Sequence, residues 1–222
     1  MTNLSAQLEN LKASVSRHGW ARSVRSYLEN ALNKIVYYRI IHIIVLRHEN
    51  LSPEPPCGNL RHGARAASIE DLLRMQADGI WEMGEDKIAA LREGDQCLLS
   101  LVDGQLAGYT WIHSEGRPRL FPELRLSTPK DYLYNYAGFT LPKFRGYGLQ
   151  SHRHRQILSF PQWKDKKGLV GYVDAVNWSS QKGQSKSGYQ RLGSILMIGP
   201  RHNYAVFISK AVRDFGIGRI EE

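Results

Sequence analysis

The sequence contains little cysteine: Cys57 and Cys97 are the only two in 222 residues. Two cysteines do not supply the disulfide framework on which small secreted domains depend. The N-terminus is polar and lacks the apolar core and cleavage site of a secretory signal. These absences favour a chain that works in a reducing compartment, and we expect it in the cytoplasm.

Long hydrophobic runs are also missing. The most apolar stretch covers residues 35–46, and Arg39 and His42 interrupt it. A membrane-spanning helix needs about 20 consecutive apolar residues, so this stretch is too short to be one. The sequence therefore predicts at most a peripheral contact with a membrane.

Negative charge is scarce relative to positive charge. Lysine and arginine number 30 against 21 acidic residues, which gives a net charge of +9. A basic surface attracts polyanionic partners, among them phosphorylated ligands, nucleic acids and anionic membranes. The length suits one domain of ordinary size together with an appendage.

The predicted appendage covers residues 1–50. Apolar residues recur there every three or four positions, which indicates an amphipathic helix bent around His18 and Gly19. They are Leu4, Leu8, Leu11, Val15, Val24, Leu28, Ala31, Leu32 and Ile35. β-Branched residues in 36–46 predict a strand at a sheet edge. Three roles stay open: packing on the chain's own domain or in a homodimer, peripheral contact with anionic lipid, and, least favoured, contact with nucleic acid.

A proline-rich segment, residues 51–58, predicts a stiff linker before a main domain at 59–215. The elements expected in that domain are a strand at 60–66, helices at 68–75 and 86–92, a hairpin at 96–113, a strand at 169–176, a helix at 179–186 and a strand pair at 193–208. Asp103-Gly104 suits the type I′ turn of the hairpin. Residues 114–130 contain three prolines and predict a loop, which either shapes an acceptor site or lies on the surface.

The most informative stretch covers residues 132–160. Tyr132, Tyr134 and Tyr136 alternate as in a strand, and Pro142 ends it. Gly146 and Gly148 follow, and then a helix is expected. A strand, a glycine-rich turn and a helix N-terminus together can direct backbone N–H groups and the helix dipole at a phosphate.

The order of residues in this stretch resembles the acetyl-coenzyme A loop of the GNAT acyltransferases, whose pattern is Arg/Gln-x-x-Gly-x-Gly/Ala. Arg145 and Gly148 match, whereas Gln150 stands where the family has Gly or Ala. A second block, at 177–180 and 186–189, resembles the family's Asn-x-x-Ser and Lys-x-Gly-Phe/Tyr at the right spacing. The resemblance covers roughly residues 59–212. It implies an α/β (α+β) fold of the GNAT type, with a mixed, mainly antiparallel, twisted sheet flanked by helices.

The resemblance implies that the chain moves an acetyl group from acetyl-CoA to an amine of a small-molecule or protein acceptor. It places the pantetheine arm of the cofactor on the backbone of Phe139, Thr140 and Leu141. It places the pyrophosphate on residues of the loop and the first helical turn, namely Arg145, Gly146, Tyr147, Gly148, Leu149, Gln150 and Ser151. Asn177, with Ser180 nearby, would hydrogen-bond the cofactor from the other side, although an asparagine there also suits a helix N-cap.

The sequence assigns no general base or acid. The tyrosine that many family members carry in the helix after the asparagine falls here on Gln184, and Tyr189 is expected in the core. Weak candidates are Tyr134 and Tyr136 on the strand, with Asp131 just before it. The alternative is a catalytically degenerate coenzyme A-binding or scaffold protein, recruited to a membrane or partner by its basic N-terminal helices.

A basic run, residues 152–155, opens the helix after the loop. It predicts a solvated helix face whose positive charge favours the cofactor's phosphates. Neighbouring positions on a helix point in different directions, and no thiolate or carboxylate accompanies the two histidines, so no metal site is expected there.

Overall fold

The structure, a computed structural model, describes residues 12, 15–16, 19–33, 35–53, 61–80, 83–116, 118–121, 124–200 and 203–220. Its helices are α1 (Trp20–Leu32), α2 (Ile69–Ala77), α3 (Glu85–Arg92), α4 (Leu149–Ser159), α5 (Trp178–Lys186) and α6 (Lys210–Asp214). Its strands are β1 (Tyr37–Arg47), β2 (His62–Ala66), β3 (Gln96–Val102), β4 (Gln105–His113), β5 (Arg119–Phe121), β6 (Leu124–Ser127), β7 (Tyr132–Thr140), β8 (Gly168–Asp174), β9 (Gln190–Gly199), β10 (Ala205–Ile208) and β11 (Gly218–Ile220).

An eight-stranded sheet forms the centre of the molecule, in the order β10-β9-β1-β8-β7-β4-β3-β2. Only β7 and β8 pair in parallel; the neighbouring strands elsewhere in this sheet are antiparallel. The predicted fold class, a mixed and mainly antiparallel sheet with helices, is confirmed. The helix and strand assignments from residue 62 to 113 are confirmed as well, because the signals for them are local.

Two local signals illustrate this. Asp103 and Gly104 both adopt positive φ, 48° and 80°, as a type I′ turn between β3 and β4 requires. At the start of α2, Ser68 and Asp71 cap each other's backbone N–H groups in a capping box.

Strand β1 corrects the predicted organisation of the N-terminal region. It lies between β8 and β9, in the interior of the sheet, and the predicted position at a sheet edge is wrong. Ile41, Ile43 and Val45 pack into the core on one face of the sheet, and Ile44 and Leu46 into the core on the other. A strand buried on both faces reads as a continuous apolar run, which is also what an isolated edge strand with few charges looks like. Residues 37–47 of the expected appendage therefore belong to the main sheet.

The other predictions for the first 58 residues have mixed outcomes. A helix forms at Trp20–Leu32, with Gly19 as its N-cap at a φ of 84°. Most of the earlier part of the helical pattern and residues 54–58 of the predicted linker lie outside the described residues. The assignment of residues 1–36 to an appendage stays a prediction.

The region predicted as a loop, residues 114–130, contains two strands. β5 and β6 join β11 in a separate three-stranded sheet, in the order β11-β6-β5. Leu124 and Leu126 are buried in the same core cluster as Ile43. Pro118 and Pro129 therefore did not prevent pairing, because they flank the short strands and do not occupy a position that must donate to the ladder.

The two faces of the main sheet carry different helices. Ile157 and Leu158 of α4 pack with Leu98 of β3, whereas Leu72 and Met75 of α2 pack with its neighbours Cys97 and Leu99. Successive strand residues point to opposite faces, so α4 covers one face and α2 the other. We call these the α4 face and the α2 face.

The interior position of β1 predicts a large energetic cost for truncating its side chains. Ile43 is 2% exposed and Ile35, just before the strand, is 85% exposed. Ile43→Ala should lower the free energy of unfolding by roughly 2–5 kcal/mol through lost burial and a cavity, and Ile35→Ala by less than about 0.5 kcal/mol. Urea denaturation of both variants measures the difference. Equal effects would contradict the interior placement of β1.

Candidate cofactor cleft

Strands β7 and β8 part after a short parallel pairing. Their register joins Tyr132, Leu133 and Tyr134 to Gly168, Leu169 and Val170. Beyond these pairs β7 continues to Thr140 and β8 to Asp174 without pairing to each other. We call the space between residues 135–140 and 171–174 the cleft.

The outer edges of both cleft strands are fixed. β7 is paired with β4 up to Thr140, and residues 171–174 of β8 are paired with residues 41–44 of β1. Arg39 of β1 also forms a two-pronged ion pair with Asp174, at 2.7 and 2.8 Å. The predicted appendage therefore supplies the strand that supports one side of the cleft.

A bulge lies on β7 at the closed end of the cleft. Ala137 has a φ of 46°, and the register between β7 and β4 shifts between Tyr109 and Trp111. A positive φ is uncommon for a residue with a side chain, and bulges re-aim the groups that follow them. A Cβ on Gly171 of β8 would lie 2.7 Å from the carbonyl oxygen of Asn135, two residues before Ala137, so this approach of the two strands requires a glycine.

The register of β7 corrects the predicted contacts for a pantetheine arm. Leu141 N donates to Ala107 O at 2.9 Å, and Phe139 lies opposite Tyr109 in the same register. In an antiparallel ladder, alternate residues direct both backbone groups at the partner strand. The backbone of Phe139 and Leu141 therefore faces β4. Thr140 alone of the three predicted residues faces the cleft, and Gly138, which the sequence argument omitted, faces it too.

The loop after β7 ends at the N-terminus of α4. Gly146 and Gly148 adopt positive φ, 92° and 69°, and Gly148 is the N-cap of α4 with no side-chain cap. The backbone N–H groups from residue 146 to 151 have no backbone acceptor within the described part of the chain. Uncapped N–H groups at the positive end of a helix dipole suit an anion.

Side chains of the loop fasten it to the sheet and leave its backbone accessible. Arg145 Nε donates to Thr140 O at 3.2 Å. Leu149 is buried beside Val102 and Ala107, which anchors the first turn of α4. Tyr147 is 47% exposed at the tip of the loop.

Gln150 departs from the family pattern, and the structure gives a steric reason why it is tolerated. A Cβ on Gly183 of α5 would lie only 2.9 Å from Gln150 Oε1. The larger side chain of Gln150 thus occupies space that the missing side chain of Gly183 leaves between α4 and α5. The next residue, Ser151, donates its hydroxyl to Ser187 Oγ at 2.9 Å, which ties the same two helices together.

Asn177 acts as the N-cap of α5. Its Oδ1 accepts a hydrogen bond from Ser180 N at 3.0 Å, so the capping alternative is confirmed, and Ser180 takes part through its backbone. The first residue of α5, Trp178, lies under the guanidinium groups of Arg22 and Arg25 of α1, at 5.0 and 5.7 Å from the ring centroid. Cation–π contacts therefore join the N-terminal helix to the helix beside the cleft.

The prediction of a solvated face at residues 152–155 is wrong for Arg153 and His154, each of which is 2% exposed. Arg153 donates to Phe139 O at 3.1 Å and to Ser100 Oγ at 3.3 Å. Burial lowers its pKa to about 10. A sequence signal existed: Arg153 lies four residues after Leu149 and four before Ile157, so all three share one helical stripe.

A buried polar network lies on the α4 face below the closed end of the cleft. Asn135 Nδ2 lies 3.1 Å from His154 Nε2 and donates to Tyr189 Oη at 3.0 Å. Asn135 Oδ1 accepts from Thr110 Oγ1 at 2.5 Å. Burial, and then the charge of Arg153, lower the pKa of His154 to about 3, so its ring is neutral. Tyr189, expected in the core, is indeed buried.

The three weak catalytic candidates lie in different environments. Asp131 precedes β7 at the end far from the loop and pairs with Lys167 at 2.7 Å, whose hydrogen bond holds the pKa of Asp131 below its usual range. Tyr134 is buried and burial raises its pKa well above the ordinary value. Tyr136 instead donates its hydroxyl to Asp95 Oδ2. Of the three, Tyr136 alone is near the start of the cleft.

Two residues beside Tyr136 were missed from the sequence. Asp95 Oδ1 lies 2.7 Å from His113 Nδ1, and both side chains are mostly buried. Asp95 directly precedes β3, His113 ends β4 and Tyr136 lies on β7, so three strands bring them together. No motif joins residues that are this far apart in the chain.

A cavity of about 470 Å³ opens at the segment that follows α2 and at the first turn of α3. It is lined by Gly79, Ile80, Met83, Gly84, Asp86 and Lys87. The ammonium group of Lys87 lies 5.3 Å from the centroid of the Tyr136 ring. Lys87 thus contacts both the cavity and the tyrosine.

Within the described ranges, no group of three or more His, Cys, Asp or Glu side chains is arranged to hold a metal ion. The helices in those ranges include none that is long and apolar enough to cross a membrane.

No protein-family model matches this sequence, and no curated protein matches it. Solved structures resemble it at low identity. A functionally unknown conserved protein from Staphylococcus epidermidis is 11% identical, with 89% of this chain and 81% of that chain covered and a TM-score of 0.51. A Drosophila protein is 18% identical with a TM-score of 0.48, and the match covers 80% of this chain and 57% of the Drosophila chain.

A third structure carries a family description. It is the GCN5-related glucosamine N-acetyltransferase region of a fungal multi-domain GH3 β-N-acetylglucosaminidase, 12% identical, with 80% of this chain and 23% of that chain covered and a TM-score of 0.50. Identity this low speaks to the fold. Together with the parted β7–β8 pair and the glycine loop, the likeness to this third structure shows that the chain has a GNAT-type fold.

Proposed function

We propose that the chain is an acetyl-CoA-dependent N-acyltransferase that acts on an amine. One observation carries the proposal: an open cleft between parallel strands leads to a glycine loop whose N–H groups, from residue 146 to 151, have no backbone acceptor in the described part of the chain. An extended amide-containing arm that ends in a pyrophosphate fits this combination of a free strand edge and a helix N-terminus.

The residues present fit acetyl-CoA in three places. The backbone edge at Gly138 and Thr140 would pair with the pantetheine amides through the groups that remain beside the Thr140 carbonyl, which accepts from Arg145 Nε. The N–H groups of the loop would bind the pyrophosphate, and the exposed Arg145 adds positive charge beside them. Gly148, as N-cap with a φ of 69°, leaves the helix end uncovered.

Acetyl-CoA, when bound, supplies an acetyl thioester. The protein must then align an amine with the thioester carbon and accept a proton from the amine. The chain's overall charge of +9 supports binding of the polyphosphate cofactor. The acceptor amine would approach from the α2 face, where the cavity between α2 and α3 lies beside Tyr136.

A rival function, a coenzyme A-binding or scaffold protein without catalysis, depends on the departures at Gln150 and Gln184. Gly183 offsets the first of these, because its missing side chain gives Gln150 room. An amine-acceptor screen with acetyl-CoA, which follows release of free thiol, discriminates between the two. Binding of acetyl-CoA with no release of free thiol in the presence of any amine would favour the rival.

If the loop binds the phosphates of acetyl-CoA, a negative charge placed in the loop should abolish the thermal shift that the cofactor causes. Acetyl-CoA should raise the melting temperature of the parent, since a ligand bound by the native state stabilises it by mass action. Gly146→Asp should abolish that shift by placing a carboxylate beside the phosphates. Gly94→Asp is the matched control, because Gly146 and Gly94 have similar φ, 92° and 102°, and neither would bring a Cβ within 4 Å of another atom. A Gly146→Asp variant that responds like the control would mean the loop does not bind the cofactor.

The fit of Gln150 against Gly183 leads to a prediction about the affinity for acetyl-CoA. Gln150→Gly should bind acetyl-CoA at least as tightly as the parent, because the side chain fills space against Gly183 and makes no required contact with the cofactor. Isothermal titration calorimetry gives the two dissociation constants. A loss of more than about tenfold, or ~1.4 kcal/mol, would show that Gln150 contacts the cofactor directly.

A further inference from the structure

We infer that Tyr136 accepts the proton of the acceptor amine through its hydroxyl oxygen and passes its own proton to Asp95, which His113 positions. This inference rests on the proposed acyltransfer and names the residues that would serve it. It concerns three side chains that no sequence motif connects.

The position of Tyr136 is the first observation. Tyr134 is the last residue of β7 that pairs with β8, so Tyr136 lies two residues into the cleft, directly before the bulge at Ala137. Its side chain packs on the α2 face beside Trp111, with ring centroids 6.2 Å apart. The residue therefore joins the closed end of the cleft to the face on which the cavity opens.

The second observation is the directed hydrogen bonding. The Tyr136 hydroxyl donates to Asp95 Oδ2, and the other carboxylate oxygen lies 2.7 Å from His113 Nδ1. A phenol that donates to a carboxylate still presents two lone pairs to a third group. The carboxylate, held on both oxygens, has one fixed orientation toward the phenol.

The third observation concerns access for solvent and substrate. Lys87 lines the cavity, and its ammonium group lies over both rings, 5.3 Å from Tyr136 and 5.8 Å from Trp111. An amine that enters the cavity therefore meets Lys87, the residue that links the cavity to the aromatic pair. Desolvation there, close to a cation, also favours the neutral amine, which is the form that can attack.

The protonation state of the phenol decides between two mechanisms. Burial, and then the negative charge of Asp95, raise the pKa of Tyr136 far above its ordinary value. A phenolate base is therefore excluded near neutral pH. A neutral phenol that relays a proton is compatible with this environment, because the hydroxyl loses and gains a proton in one step.

The proposed step conserves atoms and electrons. The nitrogen lone pair forms the new C–N bond, and the electron pair of the breaking C–S bond leaves on sulfur as thiolate, which solvent protonates. The proton lost by nitrogen goes to Tyr136 Oη as the phenol's own proton goes to Asp95 Oδ2. Asp95 then returns that proton to solvent, so the protein ends in its starting state.

Charged and titratable groups surround Tyr136 on several elements. They are Asp95, Cys97 and His113 from the region of β3 and β4, Asp86 and Lys87 from α3, and Tyr134 from β7 itself. Any pH dependence measured for the cluster includes their influence. For that reason the decisive comparisons are between variants at matched pH.

The test compares removal of two neighbouring phenol oxygens. Tyr134 and Tyr136 stack with centroids 5.6 Å apart, and both lie on the same face. With acetyl-CoA and a panel of ethylamine, glycinamide and spermidine, Tyr136→Phe should lower kcat by about 100-fold or more. Its KM for acetyl-CoA should stay within about threefold, because the hydroxyl acts in the chemical step and not in cofactor binding. Tyr134→Phe should retain most of the parent's kcat.

A readout independent of turnover follows the hydrogen-bond chain itself. In a proton NMR spectrum, Asp95→Asn should move the resonance of the Tyr136 hydroxyl proton upfield, because a neutral amide oxygen accepts a weaker hydrogen bond than a carboxylate. Tyr136→Phe should abolish that resonance, and Tyr134→Phe should leave it unchanged. Asp95→Asn keeps the size of the side chain, so it tests the relay even where Tyr136→Phe is poorly folded.

The outcomes are separable. Equal kcat in the parent and Tyr136→Phe, or equal losses in both tyrosine variants, would overturn the relay and leave acyltransfer standing. If acetyl-CoA raises the melting temperature but no amine in the panel causes release of free thiol, the relay and catalysis would both be overturned. Cofactor binding would still stand. No thermal shift at all would remove the proposed function. The relay is supported by a loss of kcat specific to Tyr136→Phe and Asp95→Asn, together with the expected changes in the hydroxyl proton resonance of Tyr136.

Discussion

The separation of β7 from β8 is the feature on which the rest of the structure depends. Two strands that stop pairing leave backbone groups unsatisfied, and that is costly unless a ligand or water takes them. The opening persists because each strand is paired on its other edge, β7 to β4 on both sides of the bulge and β8 to β1 throughout. A glycine at 171 and a bulge at 137 then set where the parting begins. The cleft is a consequence of sheet geometry before it is a binding site.

Polar residues around the cleft divide between the two faces. On the α4 face, Arg153 and the Asn135–His154 network bind β7 from below, with a neutral histidine and a buried cation held by neutral oxygen acceptors. On the α2 face, Asp95, His113 and Tyr136 form a charged cluster beside a cavity. The first set stabilises the strand that borders the cleft. The second set is joined to the cavity by Lys87, which is why we propose proton transfer there.

The sequence predicted what local signals encode. The hairpin at β3 and β4 follows from alternation and Asp103-Gly104, and the glycine loop from its residue order. It did not predict what depends on distant pairing. β1 looked like an edge strand because its apolar run carries no information about how many neighbours it has. Asp95, His113 and Tyr136 meet only after three strands align. Arg153 was misplaced because its charge suggested solvent, although its spacing from Leu149 and Ile157 indicated the buried stripe.

The place of β1 has a consequence for how the chain folds. Ile41 pairs with Asp174 and with Ile195, which are 133 and 154 positions later (174 − 41 and 195 − 41). During synthesis, this strongly apolar strand is therefore made early and must wait for partners that are made late. The β3–β4 hairpin and the helices can form from neighbours in the chain, but the sheet closes only when β1 is inserted between β8 and β9. Long-range insertion of this kind is slow, and it leaves an aggregation-prone strand exposed until the final step.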